Sequence, residues 1–306
     1  MISLCIATYN RFNYLKKAMD SIFEGFKDID YPYEIVVADG GSTDGTLEYL
    51  RKLDDINLIE QGKLTGAIKA YNETFHKAKG DYIFGFNDDM VIFPEVIVNS
   101  CKLMDNDEQI GIVGPKVQET KRGNLHSILL WGKPYWIYSP KIFIIRLSVL
   151  KEIGYFDECF RTYYVDVDLP LTFLKMGYTI AVTRRVGIVH LRVNDEDVNI
   201  AKEKNYNTHQ LKEEFEYLQR KWMPMQLRVE EYLQDNSLKK HRSLFFRRFC
   251  AMMYYAKWLR PYIEHSMLAL RLYDWFLEQT VIFKDSDYKY SEDLFLAQRY
   301  PSCILR

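Results

Sequence analysis

The feature that most constrains this chain is the alternation of strand-like and helix-like segments through its opening third. Ile2–Ala7 is a continuous apolar run of the kind buried on both faces, and Asn13–Ile22 follows with helical spacing. Glu34–Ala38 reads as a second strand, and Asp39-Gly40-Gly41-Ser42 breaks it. Thr43 then has the chemistry of an N-cap for a helix carrying Leu47, Tyr49 and Leu50. Ile56–Ile59, Gly66–Ala78 and Tyr82–Phe86 continue the series as strand, helix and strand, ending in Asn87-Asp88-Asp89. Strands separated by helices need crossover connections, so the expected class is α/β with a mostly parallel sheet flanked by helices. In such sheets ligands collect at the carboxyl ends of the strands.

Beyond residue 110 the pattern loosens. Ile110–Val113, Ile142–Ile145 and Tyr178–Val182 read as strands, Val186–Val189 as a further apolar strand, and Pro170–Met176 as a short helix. After Asn194 the spacing becomes helical: Lys212–Trp222, Leu227–Leu233, Leu244–Leu259 and Ile263–Phe283, broken by Pro224 and Pro261. A boundary near residue 200 and a C-terminal helical appendage follow from that change.

Composition narrows the class without choosing a function. With 48% hydrophobic and 27% charged residues, the chain has the make-up of a folded protein. Its net charge of -1 offers no global attraction to nucleic acid or to an acidic polymer, so charge has to be read locally. The five cysteines, Cys5, Cys101, Cys159, Cys250 and Cys303, are scattered without metal-ligand spacing, which points to free thiols in a reducing compartment. No apolar run reaches the ~18 residues of a membrane span, and no signal-peptide pattern opens the chain. A cytoplasmic protein is the expectation.

Four segments carry candidate chemistry. Ala7-Thr8-Tyr9-Asn10-Arg11 and Asp39-Gly40-Gly41-Ser42 fall at neighbouring strand ends. Together they offer a nucleobase a ring face and a carboxylate acceptor, although the same residue types also serve plain turns. Asn87-Asp88-Asp89 puts adjacent carboxylates at a strand end, an arrangement that is costly unless solvated, paired or bound to a cation. A hard divalent ion sharing its sphere with a diphosphate answers that cost, and so does a solvated turn before Pro94. Asp166 and Asp168 begin a helix, as caps or as a general base beside the aromatic run Tyr163-Tyr164. His190 ends the apolar strand Val186–Val189, as a packed residue or as a ligand.

In this order and spacing, the segments resemble glycosyltransferase family 2, whose members have the GT-A fold. The matching elements are Thr8-Tyr9-Asn10-Arg11, the run Val36 to Thr46, Gly66 with Asn72, Lys79 to Ile83, Asn87-Asp88-Asp89 and the block Gly154 to Gly177. The resemblance covers roughly residues 1 to 195. It implies a GT-A catalytic domain over 1–200, with a nucleotide-sugar-binding half (1–115) and an acceptor-side half (116–200), followed by a helical region over 201–306. It assigns Thr8, Tyr9, Asn10, Arg11, Asp39 and Asp88 to the nucleotide. Asp89, with His190, is assigned to a divalent metal (Mn²⁺ or Mg²⁺) bridging the sugar diphosphate. The acid that usually precedes the family's base is Val165 here, and the aspartate itself remains as Asp166, the implied base of an inverting displacement.

The acceptor side is less constrained. The segment Trp131-Gly132-Lys133-Pro134-Tyr135-Trp136 reads as a platform that stacks on a sugar acceptor or as a packed aromatic turn, with Asp168 a further possible contact. Between Lys239 and Arg260 stand seven Lys or Arg and no acid, interleaved with aromatics. That stretch suits an anionic membrane surface, a nucleic-acid backbone or a solvated face of a packed helix. The function implied is transfer from a nucleotide diphospho-sugar, UDP-linked by preference, to a hydroxyl on a glycan, a lipid-linked acceptor or another molecule. The alternatives are a virus-type enzyme that glycosylates a nucleic-acid base and a non-catalytic interaction protein on the same fold. A pyrophosphorylase-like enzyme lacks support, because no glycine-rich phosphate loop with a basic residue stands near the N-terminus.

Overall fold

The computed structural model describes residues 1–119, 123–125, 128–131, 135–138, 142–161, 164–191, 210, 212–222 and 294–298. Its centre is the expected parallel unit. Strand β1 (Ile2–Thr8) lies between β2 (Tyr33–Asp39) and β4 (Tyr82–Asn87), and β3 (Ile56–Glu60) flanks β2, all four parallel. Helices α1 (Phe12–Phe26), α2 (Thr46–Leu50) and α3 (Ala67–Lys77) make the crossovers. Beyond β4 the sheet becomes mixed. Strand β10 (Phe143–Arg146) runs antiparallel to both β4 and β6 (Ile110–Glu119), and β11 (Thr179–His190) returns parallel to β6. The short β5 (Met90–Ile92) pairs antiparallel with the end of β11, and β7 (Gly123–Leu125) with the end of β6. Strands β8 (Ile128–Trp131) and β9 (Tyr135–Tyr138) form a separate hairpin.

Side chains alternating along the strands feed two cores. On one face Leu4, Ile6, Ile35, Val37, Phe84 and Phe86 meet α1 and α4 (Pro94–Asn106). On the other, Cys5, Val36, Ile83, Ile112 and Ile180 meet α3, α5 (Leu147–Glu152), α6 (Val165–Lys175) and a seventh helix, α7, over 212–222. Complete burial of one such branched or aromatic side chain is worth roughly 1.5–3 kcal/mol, so a sheet covered on both sides is the dominant stabilising element.

The structure moves several boundaries. The cap of α2 is not Thr43: Gly45 stands at the N-cap with φ 94°, and the Asp44 carboxylate accepts from Thr46 N and Oγ1 instead. The segments Tyr178–Val182 and Val186–Val189 belong to one strand, β11, whose pairing with β6 is interrupted by register shifts, one of them between Val182 and Val186. That shift faces Pro115, which has no N–H for the ladder. Here Lys116 N donates to Thr183 Oγ1 at 2.9 Å instead of to a strand carbonyl. Helix α6 begins at Val165, so Pro170 lies inside it and not at its start.

The helical spacing after Asn194 predicts helices, and residues 212–222 form one, while β12 (Leu294–Gln298) joins the sheet antiparallel to β11. The segments Leu227–Leu233, Leu244–Leu259 and Ile263–Phe283, and with them the basic stretch 239–260, lie outside the described residues.

Contact between α6 and β6 is close at Gly111. A Cβ there would sit 2.5 Å from Phe173 Cδ1 and 2.8 Å from Tyr178 Cβ. Gly111→Ala is expected to destabilise the protein by about 1–3 kcal/mol through overpacking, read as a lower urea midpoint at an unchanged slope.

Candidate active site

The carboxyl ends of β1, β2 and β4 converge, and their loops are tied to one another before any ligand is considered. Asn10, at φ 51°, donates its backbone N–H to Ser42 Oγ at 2.8 Å, and its Oδ1 accepts from Thr43 N at 2.8 Å. Asp44 Oδ2 accepts from Phe12 N at 3.0 Å, which serves the open start of α1. The Asp-Gly-Gly-Ser segment is therefore a brace between two strand ends as well as a turn. Gly41, at φ +85°, passes so close to Gly62 that a Cβ would lie 2.9 Å from its carbonyl.

Asp39 is fully buried at the end of β2. Its Oδ1 accepts from Gly41 N at 2.9 Å and Ser42 N at 2.8 Å, while Oδ2 has no hydrogen-bond partner. Tyr9 and Leu64 stand over the adjacent Gly40, where a Cβ would lie 3.1 Å from Tyr9 Cδ2 and 3.2 Å from Leu64 Cδ1. The result is a single open acceptor beside an aromatic ring. Of these groups Leu64 is the exposed one, at 49% of its free surface.

Asp88 and Asp89 are both buried at the end of β4, 4% and 5% exposed. One guanidinium serves the pair: Arg11 Nη1 donates to Asp88 Oδ1 at 3.0 Å and to Asp89 Oδ2 at 2.8 Å. Thr8 Oγ1 donates to Asp88 Oδ2 at 2.8 Å, so both Asp88 oxygens are engaged. Asp89 differs. Its Oδ1 is buried without a hydrogen-bond partner, and His190 Nε2 stands 3.4 Å away, within ion-pair reach but long for a hydrogen bond. Strand pairing causes this approach. His190 lies opposite Met90 in the β5–β11 ladder, and Leu191 N donates to the Asp89 carbonyl at 2.8 Å.

The two carboxyls are driven apart electrostatically. Burial raises Asp88 to about 6 despite Arg11, and the neighbouring Asp89 charge adds to the rise. Burial also opposes ionisation of Asp89, but His190 and Arg11 outweigh it and hold that carboxyl below its ordinary value. Arg11 itself is held above its usual range, its burial overcome by the two carboxylates.

A hard divalent ion can be tested against these atoms. Among the described residues no three His, Cys, Asp or Glu side chains cluster as a complete metal site. The donors present are the open Asp89 Oδ1 and the imidazole beside it. An octahedral Mg²⁺ or Mn²⁺ that takes one or two protein ligands and completes its sphere with phosphate oxygens and water fits that pair.

Asp166 is half-buried as the second residue of α6. The preceding chain reaches the same rim, because the Arg161 carbonyl comes within 3.6 Å of where Gly66, at the start of α3, would carry a Cβ. Asn72 holds this loop through Phe156 N, Phe156 O and Glu158 Oε1. Asp168 is engaged by α7: its Oδ1 accepts from Trp222 Nε1 at 2.8 Å and its Oδ2 from Lys221 Nζ at 2.9 Å. Trp131 and Trp136 lie on the two strands of the β8–β9 hairpin, with Trp136 registered against Leu130.

Two roles were not legible in the sequence. Arg11 is the counter-ion of the acidic pair, 77 residues from Asp88, and Lys221 with Trp222 anchors α6. The Asp-Asp pair did signal that some cation was needed, but not which one.

Comparison with known proteins agrees with this geometry. The profile of glycosyl transferase family 2 matches residues 3–169, more than half of the chain, and the chain belongs to that family. Uncharacterized glycosyltransferases of Rickettsia typhi and Rickettsia prowazekii are 28% and 27% identical to it over 198 residues, 58% of this chain. A dolichyl N-acetyl-alpha-D-glucosaminyl phosphate 3-beta-D-2,3-diacetamido-2,3-dideoxy-beta-D-glucuronosyltransferase of Methanococcus voltae is 35% identical over 94 residues, 28% of each chain. The chain spans about three fifths of the length of the Rickettsia relatives, 59% of each. S. aureus TarS has the same fold, with a TM-score of 0.52 at 22% identity over 72% of this chain and 43% of TarS. A TarS fragment in complex with UDP gives 0.50 at 21% identity, covering 72% of both chains. Residues 3–169 are thus a glycosyl transferase family 2 segment, and the fold is of the GT-A type.

Removing the counter-ion tests the electrostatic account. Arg11→Met leaves two adjacent buried carboxylates without a cation and is expected to cost about 2 kcal/mol of stability at neutral pH, with Arg11→Lys intermediate. Urea denaturation checks it, and an unchanged midpoint for Arg11→Met contradicts it.

Proposed function

We propose that this enzyme moves a sugar from a UDP-sugar to an acceptor hydroxyl with inversion, aided by Mn²⁺ or Mg²⁺ at Asp89 and His190. The observation that carries this reading is the buried Asp89 Oδ1, which has no hydrogen-bond partner and faces His190 Nε2 at 3.4 Å, at the end of β4. The open Asp39 Oδ2 and the Tyr9 ring fit a pyrimidine, whose ring N–H needs an acceptor and whose face needs a flat neighbour. The TarS complexes with UDP and UDP-GlcNAc support a uridine donor. Thr8, Asn10 and Arg11 frame the diphosphate side, and Asp88 holds Arg11 and Thr8 in place there.

Asp166 is the proposed base. It takes the proton of the acceptor hydroxyl as that oxygen attacks the anomeric carbon from the face opposite the nucleotide. The bond to the diphosphate breaks as the new C–O bond forms, so the configuration inverts and no covalent enzyme intermediate arises. When bound, the divalent ion supplies charge neutralisation for the departing diphosphate. Arg11 stands next to the same charge and holds the acidic pair in register.

A glycan or lipid-linked hydroxyl is the proposed acceptor, with the aromatic segment Trp131 to Trp136 on its side. We assign residues 1–200 to catalysis and 201–306 to an appendage, parts of which fold back on the sheet. No helix among the described residues is long and apolar enough to cross a membrane. The unpaired thiols of Cys5, Cys101 and Cys159 support a cytoplasmic site of action, peripheral to the membrane if the acceptor is lipid-linked.

A panel of UDP-, GDP- and dTDP-sugars, followed by release of nucleoside diphosphate with Mn²⁺, Mg²⁺ or EDTA, tests the donor reading. A UDP-sugar is expected to turn over fastest, with metal required, and Asp89→Ala is expected to lower the rate roughly a hundredfold or more. Asp166→Asn should keep UDP affinity and lower turnover by about 10²-fold to 10⁴-fold. No turnover of any nucleotide sugar by the intact chain sinks the proposal, and an active Asp166→Asn sinks the base assignment.

A further inference from the structure

The chain leading to Asp166, described over residues 154–161 and at Tyr164, is held in an unusual way. Gly154, Tyr155 and Tyr164 all have positive φ, at 80°, 70° and 66°. A tyrosine in the left-handed region is strained and persists only where its surroundings over-determine it. Close packing on all sides does not supply that constraint. A cavity of about 550 Å³ opens behind the loop, lined by His76, Tyr155, Asp157, Asp168, Lys221 and Trp222 among others.

At its start the loop is held by Tyr155 N donating to the Leu150 carbonyl and by Asn72; over Asp157 to Arg161 and at Tyr164, helix α7, which lies beyond the segment matched to the family, supplies the constraint. Lys221 Nζ donates to Asp157 Oδ2 at 2.7 Å and also to Asp168, joining the loop to α6 through one ammonium. Tyr217 OH donates to Asp157 Oδ2 at 2.8 Å, and Trp222 Nε1 to Asp168 Oδ1 at 2.8 Å. Glu214 Oε1 accepts from Arg161 N at 3.1 Å. The Tyr217 ring meets Phe160 edge-on at 5.1 Å, and Phe215 lies 5.7 Å from Tyr164. Asp157 is ionised throughout the neutral range, pushed down to about 2, with burial opposing and Lys221, Cys159 N and Tyr217 prevailing.

We infer that α7 is a clamp for the catalytic loop, and that Lys221, through Asp157 and Asp168, is a positioning residue that sets where Asp166 stands. The inference rests on Asp166 being the base. An ion pair bridging two elements fixes their separation, whereas an aliphatic residue there would let the loop relax toward the cavity. Misplacing a reacting group by about 1 Å costs on the order of 10²-fold in rate without any need to change ground-state nucleotide binding. A tail outside the family segment would thereby control transfer while leaving the donor half of the site alone.

The test uses the full chain with UDP-GlcNAc hydrolysis as the catalytic probe and calorimetric UDP binding as the donor-site probe. Lys221→Met is expected to lower hydrolytic kcat by about tenfold to a hundredfold, with UDP Kd within twofold of wild type. Lys221→Arg should recover most of that loss, because it restores the cation. Amide hydrogen exchange over 154–164 should accelerate in Lys221→Met and not elsewhere in the sheet. In an Asp166→Asn background, Lys221→Met should lower the residual rate no further, since its effect acts through Asp166. Trp222→Phe, which keeps the packing and removes one donor, serves if Lys221→Met does not fold, with a smaller loss expected in the same direction.

A Lys221→Met enzyme with wild-type kcat beside an inactive Asp166→Asn overturns the clamp and leaves the base intact. An active Asp166→Asn removes the base and the clamp together. Parallel loss of kcat and UDP affinity shows general structural damage, which also overturns the inference.

Discussion

Two neighbouring carboxylates in a nearly dry strand end are the constraint on which the rest of this active site depends. Asp88 and Asp89 are each about one-twentieth exposed, and an uncompensated charge at that depth is expensive. A single guanidinium, that of Arg11 in the loop after β1, meets most of the demand. It does not meet all of it. Two anions facing one cation and an imidazole leave one oxygen of Asp89 without a hydrogen bond, with only His190 Nε2 3.4 Å from it, and that remainder is the part of the structure that calls for a ligand.

The surrounding architecture keeps that imbalance in place. The Asn10–Ser42–Thr43 brace and the Asp44 contact to α1 lock the loop that carries Arg11. The β5–β11 ladder fixes His190 against Asp89 by backbone pairing, so the imidazole does not depend on a mobile loop. The loop before α6 is pinned by Asn72 from α3 and by α7, which follows the catalytic segment in the chain. Both halves of the site are thus braced by elements distant in sequence, the acidic pair by Arg11 and the β5–β11 ladder and the loop before Asp166 by Asn72 and α7.

Those long separations explain what could and could not be read from the sequence. The parallel unit through β4 was legible because buried strands of apolar residues alternate with helical spacing, and strand ends carry turn chemistry. The mixed half was legible only in fragments. Pro115 and the irregular pairing opposite it hid the continuity of β6 and β11, and Pro170 suggested a helix start where it lies inside a helix. The edge strand β12, more than a hundred residues from its partner, has no local signature that sets it apart from the helical spacing before it. At the site, Thr8, Asp39, Asp88, Asp89 and His190 were nameable from their positions in the family pattern. The pairing of Arg11 with both acids, and of Lys221 with Asp157 and Asp168, comes from folding across long separations and leaves no mark in spacing.

The central claim, that the open Asp89 oxygen and His190 form a divalent-ion site completed by the donor's diphosphate, is most directly tested by the electron paramagnetic resonance of Mn²⁺. Manganese is titrated into the full chain with and without UDP. The account predicts weak capture of Mn²⁺ by the protein alone, tight capture once UDP is present, and loss of that capture in Asp89→Asn. Binding of UDP that is equally strong in EDTA, with free Mn²⁺ remaining in solution beside the UDP-loaded protein, would contradict it.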